Sequence, residues 1–447
     1  MHNFGKADHP DASQTAGVSA PADRPTGITA SPQAGPPATA GPERLRYLYE
    51  MGRLLWPSPA VFGTAQLRAA DPRGLLAPVS EFLLLPQAGN PRLLVPANRR
   101  AAAAAIHGYG EPGSRVAAIG AKVLPPLLST GLISVAMRTR FRVSAPPGTA
   151  TIESYLAQIA GPGITFSTHL GAARANRKPV LQLLTIGGAT VGFAKVSINP
   201  LTSDLVAAEH AALTRLSRSR LTLLQLPGVL HFGQWAGLNV LVLSPLPVRN
   251  RRVALPSGRL GAAMAEVAGV DGLHRGPLAG SSYLRRLRAR LVTADNGPDR
   301  GALASVLDSL ERQVGSTELS FGCWHGDWTP WNMANTRSGL LVWDWERFTR
   351  DVPVGFDALH CQLQSEVVAG QQDMPHAIAA CTRSVSDAPR LLGQFGAGPA
   401  AARVTSILYL ADIATRYLTD RQERAGQQRG APGRWLIPAI RAAMAGL

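Results

Sequence analysis

Two aspartates and one asparagine lie close together in this chain, and their types and spacing could support metal-assisted chemistry. Asp327 ends a His-Gly-Asp triplet, Asn332 follows five residues later, and Asp344 comes twelve residues after Asn332. Carboxylate and amide oxygens suit a hard ion such as Mg²⁺, which takes few protein ligands and leaves its other positions to water and substrate phosphates. This stretch therefore predicts a catalytic loop followed by a strand that ends in a metal ligand.

The residues between the two aspartates support this geometry. Pro330 stiffens the loop, the segment 335–339 is rich in turn formers, and 340–343 is a compact apolar strand. We expect Asp327 and Asp344 to lie at the ends of two neighbouring strands. The alternative is that both are ordinary turn carboxylates beside a tryptophan-rich core hairpin.

A lysine and a glutamate further upstream could bind an anionic substrate. Strands are predicted at 164–168, 180–185 and 190–198, and alternation in the third strand places Lys195 on an otherwise apolar face. Glu209 falls on the apolar stripe of the helix that follows, at about 203–216. Because a charge on an apolar face needs a partner, the pattern predicts that Lys195 and Glu209 form an inward-facing pair. The alternative, for either residue considered alone, is a charged side chain at the edge of the core that reaches outward to solvent.

Together these motifs resemble the signature of the aminoglycoside phosphotransferase and choline kinase-like family, which are small-molecule kinases with the protein-kinase fold. The resemblance rests on His325-Gly326-Asp327-x4-Asn332, on Trp343-Asp344-Trp345-Glu346 and on the upstream pair. A bare His-Gly-Asp triplet is a weak signal, but the ordered set at this spacing is specific. The resemblance covers the chain from about Thr149 to the C terminus.

The resemblance implies a role for each matched residue. Asp327 would position and deprotonate an acceptor hydroxyl, while Asn332 and Asp344 would hold Mg²⁺. Lys195, oriented by Glu209, would bind the phosphates of ATP.

Other residues of the motifs are expected to support the site. We expect His325 to brace the loop backbone and Asp357, which follows the metal-binding strand, to brace the catalytic loop. Glu346 is either an acid that supports the metal ligands or an exposed residue after the strand.

The phosphate loop departs from the protein-kinase pattern. The segment 170–176 has a single glycine, Gly171, where protein kinases have several. Members of the resembled family often lack that glycine set as well. The loop could bind phosphate through backbone N–H groups at Gly171 and through Arg174, or it could be an ordinary hairpin loop.

The resemblance implies an α+β, bilobal, protein-kinase-like fold. We expect a small β-rich lobe at 148–247 and a large helical lobe at 248–447. Residues 1–43 have few large apolar side chains and are predicted to be a disordered tail. Residues 44–147 are an extra N-terminal α/β region whose function the sequence does not indicate. Its predicted elements are a helix at 45–55, a hairpin of 82–85 with 93–95, a helix at 97–106 and a strand at 135–143.

Composition limits the classes of protein that the chain could be. The formal net charge of +16 would suit a polyanion-binding protein, but only four of the 45 basic residues are lysine and the arginines are spread along the chain. Scattered, solvated charge is the favoured interpretation, and nucleic acid is not an expected partner. Three cysteines without metal-ligand spacing suggest a reducing compartment. No apolar run is long enough to span a membrane and the N terminus lacks a signal peptide's apolar stretch, so we expect a cytoplasmic protein.

The expected function is transfer of the γ-phosphate of ATP, with Mg²⁺, to a hydroxyl of a small molecule such as a sugar or amino alcohol. Few acids cluster in the large lobe, so a cationic aminoglycoside is not assumed as the acceptor. Two alternatives remain. One is a kinase-fold module that binds nucleotide without catalysis, and the other is a basic polyanion-binding protein.

Overall fold

A computed structural model describes residues 40–64, 75–86, 90–108, 140–248, 253–369, 373–426 and 429–447. The predicted tail up to residue 39 and the first part of the strand predicted at 135–143 lie outside these ranges. In the described parts of the chain, no helix combines the length and hydropathy that crossing a bilayer requires.

The strands belong to three sheets. In chain order they are β1 (Val61–Gly63), β2 (Ala77–Leu85), β3 (Leu93–Pro96), β4 (Arg140–Ala145), β5 (Ile164–His169), β6 (Val180–Thr185), β7 (Thr190–Val196), β8 (Leu224–Gln225), β9 (Val229–Trp235), β10 (Leu238–Leu243), β11 (His274–Pro277), β12 (Glu318–Trp324), β13 (Met333–Thr336), β14 (Gly339–Val342) and β15 (Thr349–Pro353). The largest sheet has the order β1-β4-β2-β3-β5-β6-β7-β10-β9.

Most helices follow this large sheet in the chain. The α-helices of the described residues are α1 (Ala40–Leu55), α2 (Arg99–Gly108), α3 (Ile152–Ala160), α4 (Pro200–Leu216), α5 (Ser257–Ala268), α6 (Ser282–Thr293), α7 (Pro298–Val314), α8 (Phe356–Ala369), α9 (Met374–Ser386), α10 (Ala388–Leu392), α11 (Pro399–Thr419) and α12 (Leu436–Met444), of which α5 to α12 follow the sheet. A β-rich lobe is thus followed by a helical lobe, which confirms the predicted α+β, kinase-like architecture.

The accessory region and the small lobe share one sheet. Strand β3 of the accessory region pairs antiparallel with β5 of the small lobe, with Leu93 opposite His169 and Leu94 opposite Thr168. Strands β1 to β4 therefore extend the sheet of the small lobe, and the predicted domain boundary at residue 147 lies in the turn after β4, between strands of one sheet. The predicted hairpin is present as the β2–β3 pair, in which Phe82 lies opposite Pro96.

An aromatic cluster joins the two parts of this sheet. Trp56, which directly follows α1, Phe82 of β2 and Phe141 of β4 are buried with Phe166 of β5. The Phe82 and Phe166 ring centroids are 5.1 Å apart, and the Trp56 and Phe166 centroids are 6.0 Å apart in a stacked arrangement. Rings at these separations contribute packing energy beyond the area that they bury, so the accessory region stabilises the small lobe.

Local sequence explains where helix α4 begins. The Asn199 side chain accepts a hydrogen bond from the Thr202 N–H at 2.9 Å, and Pro200 occupies the first helical position. The helix therefore begins at Pro200, three residues before the predicted start at 203. Its buried face includes Leu205, Leu213 and the predicted inward residue Glu209.

The helical lobe contains two small sheets, β11-β12-β15 and β13-β14-β8. The expectation that Asp327 and Asp344 follow neighbouring strands is wrong, because β12, which precedes Asp327, and β14, which precedes Asp344, lie in different sheets. The chain turns back after β13 and pairs β14 with it, while β15 pairs with β12.

The shared aromatic cluster predicts that Phe82→Ala lowers the free energy of unfolding by about 3–5 kcal/mol, because a large buried side chain would leave a cavity. Denaturant unfolding followed by tryptophan fluorescence measures this loss, and Phe82→Leu, which retains most of the volume, should lose much less. Hydrogen exchange should also accelerate in β5 and β6 of the small lobe. Faster exchange restricted to α1 and β1–β4 would contradict the shared core.

Candidate active site

The catalytic loop follows β12 and is fixed through its backbone. Asp357 at the start of α8 accepts hydrogen bonds from the N–H groups of His325 at 2.8 Å and Gly326 at 3.1 Å. Burial raises the pKa of Asp357 to about 7, against the influence of these two donors. Gly326 has φ +85°, and a Cβ atom there would lie 2.2 Å from the Arg347 carbonyl oxygen. Only glycine fits this position without moving the backbone.

His325 ties the two halves of the motif together. Its Nδ1 accepts from the Asp327 N–H at 3.1 Å, so its Nε2 donates to the Trp343 carbonyl oxygen at 3.0 Å. Burial lowers the pKa of His325 to about 4, and the ring is therefore neutral at physiological pH. The side chain faces the loop backbone, in the position that the sequence analysis expected.

Asp327 has an accessible carboxylate held by two donors. Its side chain is 36% exposed, its Oδ2 accepts from Asn332 Nδ2 at 3.0 Å, and its Oδ1 accepts from His360 Nε2 at 3.0 Å. Burial is the largest influence on the carboxyl and opposes ionisation, but the His360 hydrogen bond prevails and the pKa of Asp327 is lowered. Asp327 is therefore an ionised group that can accept a proton.

His360 and Tyr409 were not found from the sequence. Burial lowers the pKa of His360, so the neutral ring donates from Nε2 to Asp327 and accepts at Nδ1 from the Tyr409 hydroxyl at 3.0 Å. His360 is 33 residues from Asp327 in the chain, and Tyr409 comes from helix α11. The one available signal is that His360 lies three residues after Asp357 on the same helix, which places both on one face.

Lys195 lies between two carboxylates. Its Nζ is 2.5 Å from Glu209 Oε2 and 2.5 Å from Asp344 Oδ1, so the predicted inward pair is present and includes a third member. Burial favours the neutral amine, but Asp344 and Glu209 outweigh it and raise the pKa of Lys195. Burial likewise opposes ionisation of Asp344, and Lys195 overcomes it and holds the pKa of Asp344 far below its ordinary value.

The backbone places Asp344 at the site. Asp344 has φ 70° and ψ 55°, a left-handed conformation that non-glycine residues rarely adopt. The next N–H, that of Trp345, donates to Glu209 Oε1 at 3.2 Å. Backbone strain of this kind persists where surrounding contacts impose it, and it is concentrated at functional sites.

Three buried acids form a cluster suited to a divalent cation. Glu209, Asp344 and Glu346 each present an oxygen atom, and these atoms lie within 4.8 Å of one another. Carboxylate oxygens are the ligands that Mg²⁺ takes in proteins, so the chemistry of this set fits the ion. Glu346 is 5% exposed and pairs with Lys178, which excludes the alternative of an exposed residue after the strand.

Asn332 lies beside this cluster. Its backbone carbonyl accepts from the Trp343 N–H at 3.1 Å, which brings it to the same end of the β13–β14 hairpin as Asp344. Its side-chain Nδ2 donates to the Asp327 carbonyl at 2.9 Å and to Asp327 Oδ2 at 3.0 Å. The structure thus shows the Asn332 amide nitrogen turned towards Asp327.

The phosphate loop is held by the accessory region. Arg177 Nη1 donates to the Gly171 carbonyl at 3.3 Å and pairs with Glu43 of α1 at 3.1 Å. The Arg177 guanidinium also lies 3.8 Å from the ring centroid of Tyr47, a cation–π contact. Gly171 therefore faces Arg177, and it lies outside the set of described residues that line the cavity below.

A cavity between the lobes has apolar walls and a charged end. Its apolar lining includes Val180, Phe193 and Leu243, and its charged lining is Lys178, Lys195 and Asp344. The lining continues with Ser244, Leu246 and Val248, in the segment that follows β10. An aromatic base with an attached anionic chain matches this division into apolar and charged surface.

Arginines of helix α6 are engaged in ion pairs. Arg288 pairs with Asp308 and, at 2.8 Å, with Glu311, while Arg286 pairs with Asp351 at 2.8 Å. Neighbouring acids thus compensate part of the arginine charge on this helix, which agrees with the interpretation of the net positive charge as scattered over the surface.

The family comparison covers the residues of this site. Residues 193–367 match the model of the phosphotransferase enzyme family, and this range includes Lys195, Glu209, Asp327 and Asp344. The match confirms the resemblance that the motifs indicated over this part of the chain. A phosphotransferase with a two-lobed, kinase-like fold is the class that the chain resembles.

Solved structures of small-molecule kinases are similar to the chain at low identity. A thermostable mutant of aminoglycoside phosphotransferase APH(4)-Ia, in ternary complex with ADP and hygromycin B, is 15% identical, with 66% of this chain and 98% of that chain covered and a TM-score of 0.42. A fructosamine-3-kinase from Haemophilus somnus is 14% identical, with 65% and 96% covered and a TM-score of 0.35. Aminoglycoside phosphotransferase APH(3'')-Id from Streptomyces rimosus, in complex with ADP and streptomycin, is 15% identical, with 53% and 90% covered and a TM-score of 0.33. A comparison with curated proteins finds no match.

The contact between His360 and Asp327 predicts a pH effect. Removing the donor with His360→Leu should raise the pKa of Asp327, so the ionised base would be lost at a higher pH. The acid limb of the pH profile of ATP turnover should therefore move to higher pH. His360→Gln, which keeps an amide donor, should move it less, and an unchanged limb in His360→Leu would show that His360 does not set the Asp327 pKa.

Proposed function

We propose that the chain transfers the γ-phosphate of ATP to a hydroxyl group of a small molecule. The observation that carries this proposal is the position of Asp327, an ionised and partly exposed carboxylate in the same motif as the buried cluster of Lys195 and Asp344. Phosphoryl transfer needs positioning and charge compensation, and these residues supply both.

The nucleotide is proposed to bind in the cavity between the lobes. Val180, Phe193 and Leu243 would contact the base, while the charged end of the cavity would face the phosphates. Lys195 keeps Glu209 as a partner, so its ammonium group stays in a fixed place beside the phosphate position. An ammonium that is already oriented stabilises developing charge without reorganisation.

Asp344 and the neighbouring acids Glu209 and Glu346 are the groups proposed to hold Mg²⁺, together with Asn332 of the same motif. When bound, Mg²⁺ supplies neutralisation of the phosphate charge. Asp327 is proposed to orient the acceptor hydroxyl and to take its proton at the carboxylate. The hydrogen bonds from Asn332 and His360 fix the direction of that carboxylate.

Asp327→Asn tests this function directly. The substitution removes the proton acceptor but leaves Lys195 and Asp344 untouched, so Mg-ATP should bind and raise the thermal midpoint as in the wild type. ATP turnover should fall by at least about 100-fold, the lower end of the 10²- to 10⁴-fold that general base catalysis typically contributes. Calorimetric titration and an acceptor screen with labelled ATP measure the two effects.

The alternative function, a nucleotide-binding module, has no turnover to lose. If wild type and Asp327→Asn bind Mg-ATP equally and hydrolyse it at the same trace rate, and no acceptor accelerates the wild type, the module replaces the kinase.

A metal test follows from the position of Asp344. Asp344→Asn removes one carboxylate from the three-acid cluster, so we expect Mg-ATP affinity to fall by about tenfold or more. Affinity for ATP in EDTA should change much less, because the lost carboxylate acts through the ion. Equal Mg²⁺ dependence in wild type and variant, measured by calorimetry, would show that the metal site lies elsewhere.

A further inference from the structure

A second buried lysine lies in the nucleotide cavity. Lys178 lies two residues after the phosphate loop and lines the cavity together with Lys195, Asp344 and Val180. Its side chain is 1% exposed and its Nζ pairs with Glu346, whose side chain is 4% exposed. The family resemblance assigns Lys178 no role, and the charge pattern of the sequence did not single it out.

The direction of the Lys178 side chain follows from its place in the chain. Alternate residues of an extended segment face the same side, so Lys178 points to the same side as Val180, two residues later at the start of β6. Both residues line the cavity, and Val180 pairs with Lys195 across the β6–β7 ladder. The ammonium groups of Lys178 and Lys195 therefore lie at one end of one cavity, an arrangement that suits a chain of phosphates.

The partners of the two lysines differ in a way that matters for binding. Lys195 contacts both Glu209 and Asp344, so it retains Glu209 if Asp344 turns to a divalent cation. Lys178 pairs with Glu346, which belongs to the same three-acid cluster. Carboxylates that bind a divalent cation no longer need the lysines as counter-ions, and Lys178 can then leave Glu346 for another anion.

We propose that Lys178 binds the phosphates of the nucleotide alongside Lys195, and that Glu346 holds Lys178 in place until the nucleotide is bound. This inference rests on the proposed function, because it concerns the same cavity. Lys178 would supply a second cation for phosphate binding, beside a phosphate loop that has only one glycine. Glu346 would be the partner that Lys178 exchanges for the nucleotide.

A purely structural bridge between the lobes is the competing explanation. Other contacts already hold this part of the loop, since the Ala175 N–H donates to Gln422 Oε1 at 3.2 Å and Arg177 is fixed by Glu43. A buried ion pair also contributes little net stability, because desolvation offsets most of the attraction. The loop can therefore remain in place when Lys178 exchanges its partner.

Nucleotides of different phosphate content separate the two explanations. Binding of adenosine, AMP, ADP and ATP, with Mg²⁺, is measured by calorimetry on the full chain. Lys178→Met should lower the affinity for ADP and ATP by about 10- to 100-fold, which is the effect of losing a charge-assisted hydrogen bond. The affinity for adenosine should fall by less than about twofold. Lys178→Arg should keep most of the ATP affinity.

A double-mutant cycle with metal-free ADP tests the exchange itself. Glu346→Gln removes the competitor for Lys178, so it should strengthen ADP binding in EDTA by several-fold. The same substitution in the Lys178→Met background should give little gain. The double variant carries neither buried charge, so it also remains informative if Lys178→Met alone folds poorly.

The surface pair Arg288 and Glu311 provides matched controls. The two side chains form a partly exposed ion pair at 2.8 Å and do not line the cavity. Arg288→Met and Glu311→Gln therefore report the general effect of each charge change on nucleotide affinity, and both should leave it nearly unchanged.

Three results would overturn the inference. In the first, Lys178→Met lowers the affinity for adenosine as much as that for ATP, which indicates that Lys178 is a structural bridge between the lobes. In the second, Lys178→Met leaves the ATP affinity unchanged although the wild type transfers phosphate. The inference about Lys178 is then wrong, and the proposed function is unaffected. In the third, the wild type binds none of the four ligands, and the proposed function falls with it.

Discussion

The buried contact of Lys195 with Glu209 and Asp344 is the interaction on which the site depends. It joins strand β7 and the next helix, α4, to the end of the β13–β14 hairpin, where Asp344 lies 149 residues after Lys195 in the chain. Removing one member would leave an uncompensated buried charge, which is strongly destabilising. The contact therefore fixes how helix α4 packs, and the Trp345 N–H adds a backbone link to Glu209. A site that uses charge for chemistry is thus also the point where the two lobes are aligned.

A satisfied network of polar groups carries this alignment to Asp327. Asp357 accepts two N–H groups of the loop, and Arg416 donates to the Gly326 carbonyl at 2.7 Å. His325 and His360 each use both ring nitrogens. Buried polar networks of this type are rigid when every member is paired. The Asp327 carboxylate is consequently held in one direction by Asn332 and His360.

The accessory region belongs to the same structure. Its strands continue the small-lobe sheet, and its helix α1 supplies Glu43 and Tyr47 to Arg177, which directly follows the phosphate loop. Glycine-rich loops reach a phosphate through backbone freedom, whereas this loop is held by an ion pair and an aromatic ring. Neither contact could be inferred from the loop sequence, because α1 lies more than a hundred residues earlier.

The sequence by itself determined the elements and residues that depend on local pattern. Alternation placed Lys195 inward, helical spacing placed Glu209 on the buried face, and the fixed spacing from Asp327 to Asp344 identified the catalytic hairpin. Tertiary structure decided the contacts between distant segments, such as Lys178 with Glu346, 168 residues apart, and His360 with Asp327. It also turned the Asn332 amide towards Asp327 and merged the accessory strands into one sheet. Periodicity records which side of an element is buried, but which partner covers that side is set by packing among elements that the chain brings together only when it folds.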